Sequence, residues 1–533
     1  MSTPSARLPI VYVRGYAGGT PGIEKAVTDP FYGFNEGSTH IRVGRQDSPV
    51  FYQFESPLVR LLTDEGYRVF VEGGQEAYLA SHQNIPPNSI WIHRFYDRCS
   101  GTWGGQPESF SLERAAEDLL RLIEDLRTRT GAPQVHLVAH SMGGLICRCL
   151  IQKVIPEQRE GKRATDYVSK LFTYGTPHGG ITFAVGFGIP EALRDIFDFN
   201  GAGVFGPDRM YQYLTPNPRS DGPPEDWRAV DITDDDGRGT AKDAAGRFPL
   251  DRIFCMIGTN SGDYDVAHGA SAAAVGPRSD GLVQIENAQV TGANRAFTHR
   301  SHSGRYGLVN SEEGYQNLRR FLFGDLRARA ELVDATLPDD DPDVTWQAEV
   351  RLQIRGLPVL LHERTAAHWC PIQLTDPTSA TLRARATRKG AVQLATTFLS
   401  TDLLPTVAAP PPATADAAQP VEREPVRFAL DLRVLGLKEH DGFFGFGDHL
   451  EQTADFADTL IVDVDTNRPR PAAWAHWNSE VNGAIRTFRP TDPPLPDEDP
   501  RADAWLAHIP LPASTENLLG SAARIRLTVG PWC

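Results

Sequence analysis

The 533-residue chain has no uninterrupted apolar run of the roughly 18 residues that a membrane-spanning helix needs. It also lacks a signal-peptide core near its start, because the apolar residues Ile10 to Val13 are too few for one. We therefore expect a cytoplasmic protein without a transmembrane segment, although a removed leader or another route of secretion stays open.

Cysteines are also few, and positively charged residues are fewer than negatively charged ones. Six cysteines without a CxxC pair provide neither a disulfide framework nor the usual zinc ligands. Lys and Arg total 53 against 68 for Asp and Glu, so the formal charge of -15 argues against binding to nucleic acids or to anionic membranes through a basic surface. We expect no zinc site and no nucleic-acid partner.

Short apolar strands alternate with helices up to about residue 330. The clearest helix spans 111–128, with Ser111 as a predicted N-cap and Gly131 as a stop signal. This alternation predicts an α/β domain over residues 1–330, with a mostly parallel central sheet covered on both faces. The other predicted elements are a helix at 57–65 and strands at 10–13, 67–71, 90–95, 135–139, 171–174 and 253–257.

Residues 331–533 have a different pattern, in which short runs alternate apolar and polar residues as half-buried antiparallel strands do. We expect an all-β, sandwich-like accessory domain. A Pro/Ala-rich stretch, 405–425, predicts a flexible or extended loop within it. The predicted strands lie at 346–354, 359–361, 426–434, 459–464, 505–509 and 525–529.

A serine stands where an apolar strand runs directly into a helix, in the segment Ala139-His140-Ser141-Met142-Gly143. This context is that of a nucleophile elbow, a tight turn whose flanking positions must be small. Ala139 replaces the usual first glycine. The helix that follows offers backbone N–H groups to a developing oxyanion. We predict that Ser141 is a nucleophile.

A serine nucleophile needs a histidine base and an acid that orients it, which follow in the chain order Ser, acid, His in this type of fold. His302, in a loop before the helix near residues 315–323, is the predicted base, with His299 as the runner-up. Asp280, held at a strand end by Gly281, is the predicted acid. Weaker alternatives are Asp263, Asp265 and Glu286.

The oxyanion hole needs two N–H donors. We assign them to the backbone of Met142, after the nucleophile, and of Tyr16, in the loop after the first strand. Two further histidines, His140 beside the nucleophile and His178 in a Thr-Pro-His-Gly-Gly run, are expected to support the turn by packing or hydrogen bonding.

Residues 181–249 form an insertion that is rich in apolar residues at its start. A segment of this kind above a nucleophile suits a lid or an acyl-chain pocket, although a simple packing layer stays open. The predicted pocket residues are Phe183, Phe187, Leu193, Ile196 and Phe197.

Five short motifs occur together over residues 8–325: PIVYVRGY, VHLVAHSMGG, TPHGG, SDGLV and a late histidine. In this order they resemble the motifs of bacterial lipases and related esterases of the α/β-hydrolase superfamily. The resemblance implies hydrolysis of carboxylic esters through an acyl-enzyme, with Ser141, Asp280 and His302 as the triad and without a cofactor.

The chain departs from that family at two positions. Arg14 stands where such lipases usually carry histidine, which leaves the second oxyanion donor less well defined. Gly304 stands where some of them carry an acidic residue beside bound calcium, so the resemblance does not extend to a calcium site.

The predicted activity is therefore hydrolysis of a small-molecule or lipid ester with an apolar acyl group. An acyltransferase or a thioesterase would use the same triad. A non-catalytic lipid-binding or scaffold protein is the alternative from another class, and the complete triad argues against it. The oligomeric state is not predicted by any of these features.

Overall fold

The computed structural model describes residues 7–17, 20–43, 48–70, 74–102, 104, 106–182, 204–232, 247–264, 270–338, 344–375, 391–403, 423–440, 449–467, 470–481 and 493–532. The chain divides into two compact units, Met1–Leu318 and Arg319–Cys533. No helix within these described ranges is long and apolar enough to cross a membrane. The predicted division into a catalytic and an accessory domain at residue 330 stays a prediction.

The first unit contains a seven-stranded sheet of order β4-β5-β1-β6-β7-β8-β9, in which every strand pair is parallel. This confirms the predicted α/β class. A separate antiparallel hairpin pairs β2 with β3. The strands are β1 (Ile10–Val13), β2 (Ser38–Val43), β3 (Pro49–Phe54), β4 (Arg68–Val69), β5 (Ser89–Ile92), β6 (Val135–His140), β7 (Val168–Tyr174), β8 (Ile253–Gly258) and β9 (Asn294–Thr298).

Helices of the first unit connect these strands, and the last helix continues across the division between the units. They are α1 (Thr20–Thr28), α2 (Pro57–Glu65), α3 (Gln75–Ser81), α4 (Leu112–Thr130), α5 (Met142–Cys149), α6 (Ile155–Gln158), α7 (Pro207–Leu214), α8 (Ala270–Val275) and α9 (Glu312–Phe323). A π-helical turn, Leu150–Val154, joins α5 to α6.

Local signals explain the ends of the clearest helix, α4. The Ser111 hydroxyl accepts the N–H of Arg114, and Gly131 ends the helix in the left-handed conformation with φ 72°. Its apolar stripe is buried, and so are all residues of β1, β5 and β8. Strands buried on both faces have near-continuous apolar sequences, which is why β1 and β6 were recognisable as short apolar runs.

The second unit consists of two antiparallel sheets whose apolar side chains form one core. One sheet has the order β14-β10-β19-β18, and the other has the order β12-β11-β15-β16-β17 with β13 paired to β11. The strands are β10 (Leu326–Val333), β11 (Val344–Ile354), β12 (His362–Arg364), β13 (Ile372–Gln373), β14 (Val392–Leu399), β15 (Val426–His440), β16 (His449–Asp465), β17 (Ala472–Trp477), β18 (Trp505–Pro510) and β19 (Arg524–Pro531); a short helix, α10, spans Glu516–Leu519.

This arrangement confirms the predicted all-β region, with corrections to single elements. The strand predicted at 359–361 is wrong, because Val359 and Leu361 are buried in the connection that precedes β12. The strand predicted at 67–71 is shorter, since β4 covers two residues. The Pro/Ala-rich stretch 405–425 lies outside the described residues except for its last three.

Candidate active site

Ser141 occupies a tight turn between β6 and α5. Its backbone has φ 53° and ψ -128°, a conformation that is unfavourable for a residue with a side chain. Hydrogen bonds on both sides hold it there. The Ser141 N–H donates to the Tyr174 carbonyl over 2.9 Å, and the Ser141 carbonyl accepts the Thr176 hydroxyl at 2.8 Å and the Gly144 N–H at 3.0 Å.

Glycines allow the neighbouring backbone to approach this turn closely. A Cβ added to Gly143 would lie 2.2 Å from the Val13 carbonyl oxygen, and one added to Gly15 would lie 2.5 Å from the Ser141 Cβ. Both distances are shorter than non-bonded atoms tolerate. The small residues after the serine therefore let α5 pack against the end of β1, which brings the loop after β1 beside Ser141.

The structure brings together the three side chains predicted as a triad. The His302 Nε2 lies 3.0 Å from the Ser141 Oγ, and its Nδ1 lies 2.8 Å from the Asp280 Oδ2. All three residues are at least 95% buried. Because a carboxylate only accepts hydrogen bonds, Nδ1–H donates to Asp280, and Nε2 is left to accept the serine proton.

Backbone contacts fix the position of Asp280. Its Oδ1 accepts the N–H groups of Leu282 at 3.1 Å and Val283 at 2.8 Å. Its carbonyl accepts the His302 N–H at 2.8 Å, so the two loops that carry the acid and the base are joined directly. Gly281 makes this turn possible with φ 99°, a conformation that favours glycine.

The described alternatives to His302 and Asp280 are not buried at the site. His299 is exposed, and so are Asp263 and Glu286, whereas Asp265 lies outside the described residues. His178 is fully buried, where its Nε2 lies 3.1 Å from the Thr173 hydroxyl, and burial lowers its pKa well below the ordinary value. The hydrogen bonding expected of His178 is therefore present, with a partner on β7.

His140 contacts the loop of the predicted base. Its Nε2–H donates to the His302 carbonyl over 3.1 Å, and the two rings lie 4.8 Å apart. Burial, together with the nearby His302 and Arg14, lowers the pKa of His140 well below the ordinary value, so the ring is neutral near pH 7. The sequence indicated support for the turn but not this partner.

The predicted oxyanion donors lie on the two segments that meet at Ser141. Met142 begins α5, and its N–H has no acceptor within the described part of the chain. Tyr16 lines the same cavity as Ser141. The next N–H along, that of Ala17, is already donated to the Tyr96 hydroxyl over 3.3 Å.

Ser141 and His302 open into a cavity of about 630 Å³. The predicted pocket residues between Phe183 and Phe197 lie outside the described residues, while Ile181 and Phe205, on either side of that segment, line the cavity. Residues of α1 and the following turn form another wall, which no sequence motif predicted. This group comprises Gly22, Lys25, Ala26, Thr28, Asp29, Tyr32, Gly33, Phe34 and Glu36.

Metal-ligating side chains are not clustered in the described ranges, where no group of three or more His, Cys, Asp or Glu residues could hold an ion.

The comparison with protein families agrees with the fold. A family profile with the description alpha/beta hydrolase fold matches residues 85–193. The Bacillus licheniformis lipase BlEst2 is 15% identical over 60% of this chain and 94% of its own, with a TM-score of 0.30. Aspergillus fumigatus lipase B is 10% identical over 59% and 52%, with a TM-score of 0.28.

A gene product of Listeria innocua is 14% identical over 59% of this chain and 94% of its own, with a TM-score of 0.25. A search of curated protein sequences found no match. The parallel sheet, the strand–serine–helix turn and the profile match together show that the first unit of this chain has the α/β-hydrolase fold.

Proposed function

We propose that the chain is a serine carboxylic-ester hydrolase that works through an acyl-enzyme. One observation carries this proposal: Ser141, His302 and Asp280 form a continuous, buried hydrogen-bond chain that begins at a strained serine and opens into a cavity. A serine that served only to cap a helix would need neither the strained backbone nor the histidine–carboxylate pair.

In the proposed reaction, the Ser141 Oγ attacks the ester carbonyl carbon while the His302 Nε2 takes the hydroxyl proton. The tetrahedral intermediate collapses, the C–O bond to the alcohol breaks, and His302 returns the proton to the leaving alkoxide. Water then repeats the sequence on the acyl-enzyme and releases the acid. Asp280 keeps Nδ1 protonated and stabilises the imidazolium that forms twice in each cycle.

Backbone N–H groups of Met142 and Tyr16 are the proposed donors to the oxyanion. They stand on α5 and on the loop after β1, the two segments that the glycine contacts bring together. Donors fixed by the fold cost little reorganisation when negative charge develops on the carbonyl oxygen.

The proposed substrate is an ester with an apolar acyl group, since Ile181, Phe205, Leu282 and Val309 line the cavity. Burying each additional methylene contributes about 0.8 kcal/mol, so efficiency should rise about three- to fourfold per methylene until the pocket is full. Nitrophenyl esters from acetate to octanoate test this directly, and a flat or falling series would contradict the apolar pocket.

A fluorophosphonate probe tests the chemistry independently of the substrate. The unmodified chain should be labelled at Ser141 and the Ser141→Ala variant should not. If labelling were absent, or if it persisted in the variant, the proposed nucleophile would be wrong. Added alcohol or thioester substrates then distinguish hydrolysis from acyl transfer and thioester cleavage.

A further inference from the structure

An arginine lies at the catalytic cavity immediately before the proposed oxyanion loop. Arg14 follows β1, lines the cavity together with Ser141, and donates one guanidinium N–H to the Tyr32 carbonyl. Within the described residues this is the one hydrogen bond of its side chain, and it has no ion pair there. A guanidinium carries five N–H donors, so most of them remain available to a ligand.

Among the described residues, the carboxylates that act on Arg14 are those of Asp29 and Glu36, and neither lies within ion-pair distance of its guanidinium. The two carboxylate oxygens of Asp29 accept hydrogen bonds within the turn after α1, from the N–H groups of Phe31 at 2.9 Å and Gly33 at 2.8 Å. Glu36 is exposed, where water and salt screen its charge. Burial lowers the pKa of Arg14, and the nearby acidic groups offset this loss of hydration only in part.

Other polar groups of the cavity also lack partners. The ammonium group of Lys25, on α1, makes no ion pair with any described residue. The side chain of Asn310 is buried, and its Oδ1 has no hydrogen-bond partner in the part of the chain described. A buried amide oxygen without a partner costs free energy that a ligand donating a hydrogen bond to it would recover. The described part of the cavity therefore offers polar groups to a ligand in addition to its apolar side chains.

We propose that Arg14 binds an anionic group, a carboxylate or a phosphate, on the ester substrate, with Lys25 adding attraction at the exposed rim. The substrate class is then an amphiphilic ester that combines an apolar chain with a negative charge. This inference rests on the proposed ester hydrolysis and names its substrate class. The planar fork of arginine matches the two oxygens of such a group, and charged hydrogen bonds of this kind are the strong ones.

Two matched pairs of chromogenic esters test the proposal in the full chain. The first pair is the octanoyl ester of a hydroxynitrobenzoic acid and the same compound with its carboxylate methylated, which places the charge on the alcohol side. The second pair is the mono-nitrophenyl ester of adipic acid and its methyl ester, which places the charge on the acyl side. For at least one pair we expect kcat/KM to favour the anionic member by about tenfold or more.

Variants at the arginine test its role through the ratio of the two efficiencies. Arg14→Gln keeps a donor for the Tyr32 carbonyl but removes the charge, and should lower the preference for the anionic ester about tenfold. Arg14→Lys should retain part of the preference because it keeps the charge without the fork. Lys162→Gln, which removes an exposed cation outside the cavity, is the matched control and should leave the ratio unchanged.

The outcomes distinguish a wrong anion site from a wrong catalytic function. If the neutral esters are hydrolysed but the unmodified chain shows no preference, or if Arg14→Gln leaves the preference intact, the anion site is wrong while ester hydrolysis stands. If no ester is hydrolysed and a fluorophosphonate does not label Ser141, the proposed function itself is wrong.

Discussion

The side chain of His140 donates its Nε2–H to the backbone carbonyl of His302, 3.1 Å away. The residue immediately before the proposed nucleophile therefore holds the loop that carries the proposed base. This bond joins β6 to a loop 162 residues later, and it adds to the bond between the His302 N–H and the Asp280 carbonyl. Two sides of the His302 backbone are thus fixed relative to Ser141.

Removing this contact should slow the chemical step more than substrate binding. We expect His140→Leu to lower kcat about tenfold with little change in KM, because a small displacement of the base costs rate but not binding surface. His140→Gln, whose amide can donate to the same carbonyl, should recover part of the loss. Steady-state hydrolysis of a nitrophenyl ester by the three proteins checks this, and an unimpaired leucine variant would show that the bond does not position His302.

Substitutions in the proposed triad should be far more damaging. Ser141→Ala and His302→Ala should each lower turnover by about 10⁴-fold or more, and Asp280→Asn should also be severe because it favours the wrong tautomer of His302. The control is His299→Ala, which alters an exposed histidine three residues away and should be mild. Ester hydrolysis at substrate saturation measures all four; an inactive His299 variant beside an active His302 variant would reverse the assignment.

The third prediction concerns the close approach of Gly15 to the turn at Ser141. A methyl group at Gly15 would lie 2.5 Å from the Ser141 Cβ and 2.9 Å from the His140 carbonyl oxygen, so one of these groups must move. We expect Gly15→Ala to destabilise the chain by about 1–3 kcal/mol and to lower kcat at least about tenfold. Gly101→Ala, whose nearest contacts would be 3.7 and 3.8 Å, is the matched control for both measurements.

Features encoded in a few neighbouring residues could be predicted from the sequence. The ends of α4 follow from Ser111 and Gly131, and the turn at Ser141 follows from an apolar strand, small flanking residues and a helix. The choice of His302 over His299 depended on its place in the loop before the last helix, and His299 stayed the runner-up because the two lie three residues apart. The structure shows which of them turns inward, because His302 is buried with its ring between Ser141 and Asp280, whereas His299 is exposed.

The wall of the cavity could not be predicted in the same way. Helix α1 has one apolar face of three buried residues, and the turn after it is held by Asp29. Three apolar residues are too short a helical pattern to predict α1, and the contacts of Asp29 form only in the folded chain. The Tyr32 carbonyl that accepts the Arg14 hydrogen bond belongs to this turn. The sequence therefore showed that Arg14 replaces the histidine usual in similar lipases, but it did not show that Arg14 lines the cavity.

The fourth prediction concerns a buried ion pair in the larger sheet of the second unit. Arg427 and Asp463 face each other across β15 and β16, joined by two hydrogen bonds of 2.8 Å, and both side chains are over 90% buried. Arg427→Met should destabilise this unit by about 3–5 kcal/mol because it leaves a buried carboxylate unpaired. Changing both residues, Arg427→Met with Asp463→Leu, should restore most of the stability.

The exposed pair between Asp402 and Arg423 provides the control for that experiment. Asp402 is 85% exposed, and Asp402→Asn should change the free energy of unfolding by less than about 1 kcal/mol. Urea unfolding of the full chain compares the four proteins. A double variant no more stable than Arg427→Met alone would show that the side-chain packing, and not the unpaired charge, causes the loss.

The last prediction concerns pH and a buried histidine of the first unit. His93 donates its Nε2–H to the Ala115 carbonyl over 2.9 Å, and burial lowers its pKa from 6.5 to about 4. The unfolded chain therefore binds a proton below pH 6.5 that the folded chain does not bind until about pH 4. The stability contributed by the neutral ring is complete above pH 6.5 and is lost as the pH falls through this window.

Because of this pKa difference, lowering the pH from 7.5 to 5 should lower the free energy of unfolding by about 2 kcal/mol. His93→Gln keeps a donor for Ala115 but cannot take up the proton, so its stability should fall by about 2 kcal/mol less over the same interval. Urea unfolding followed by pulse proteolysis measures the free energy of unfolding of the first unit at each pH, because the fragments identify which unit has unfolded. The surface variant His82→Gln is the control. If His93→Gln loses as much stability as the unmodified chain, then His93 is not the group that takes up the proton on unfolding, and His136 and His178, whose pKa values burial also lowers, are the next histidines to test.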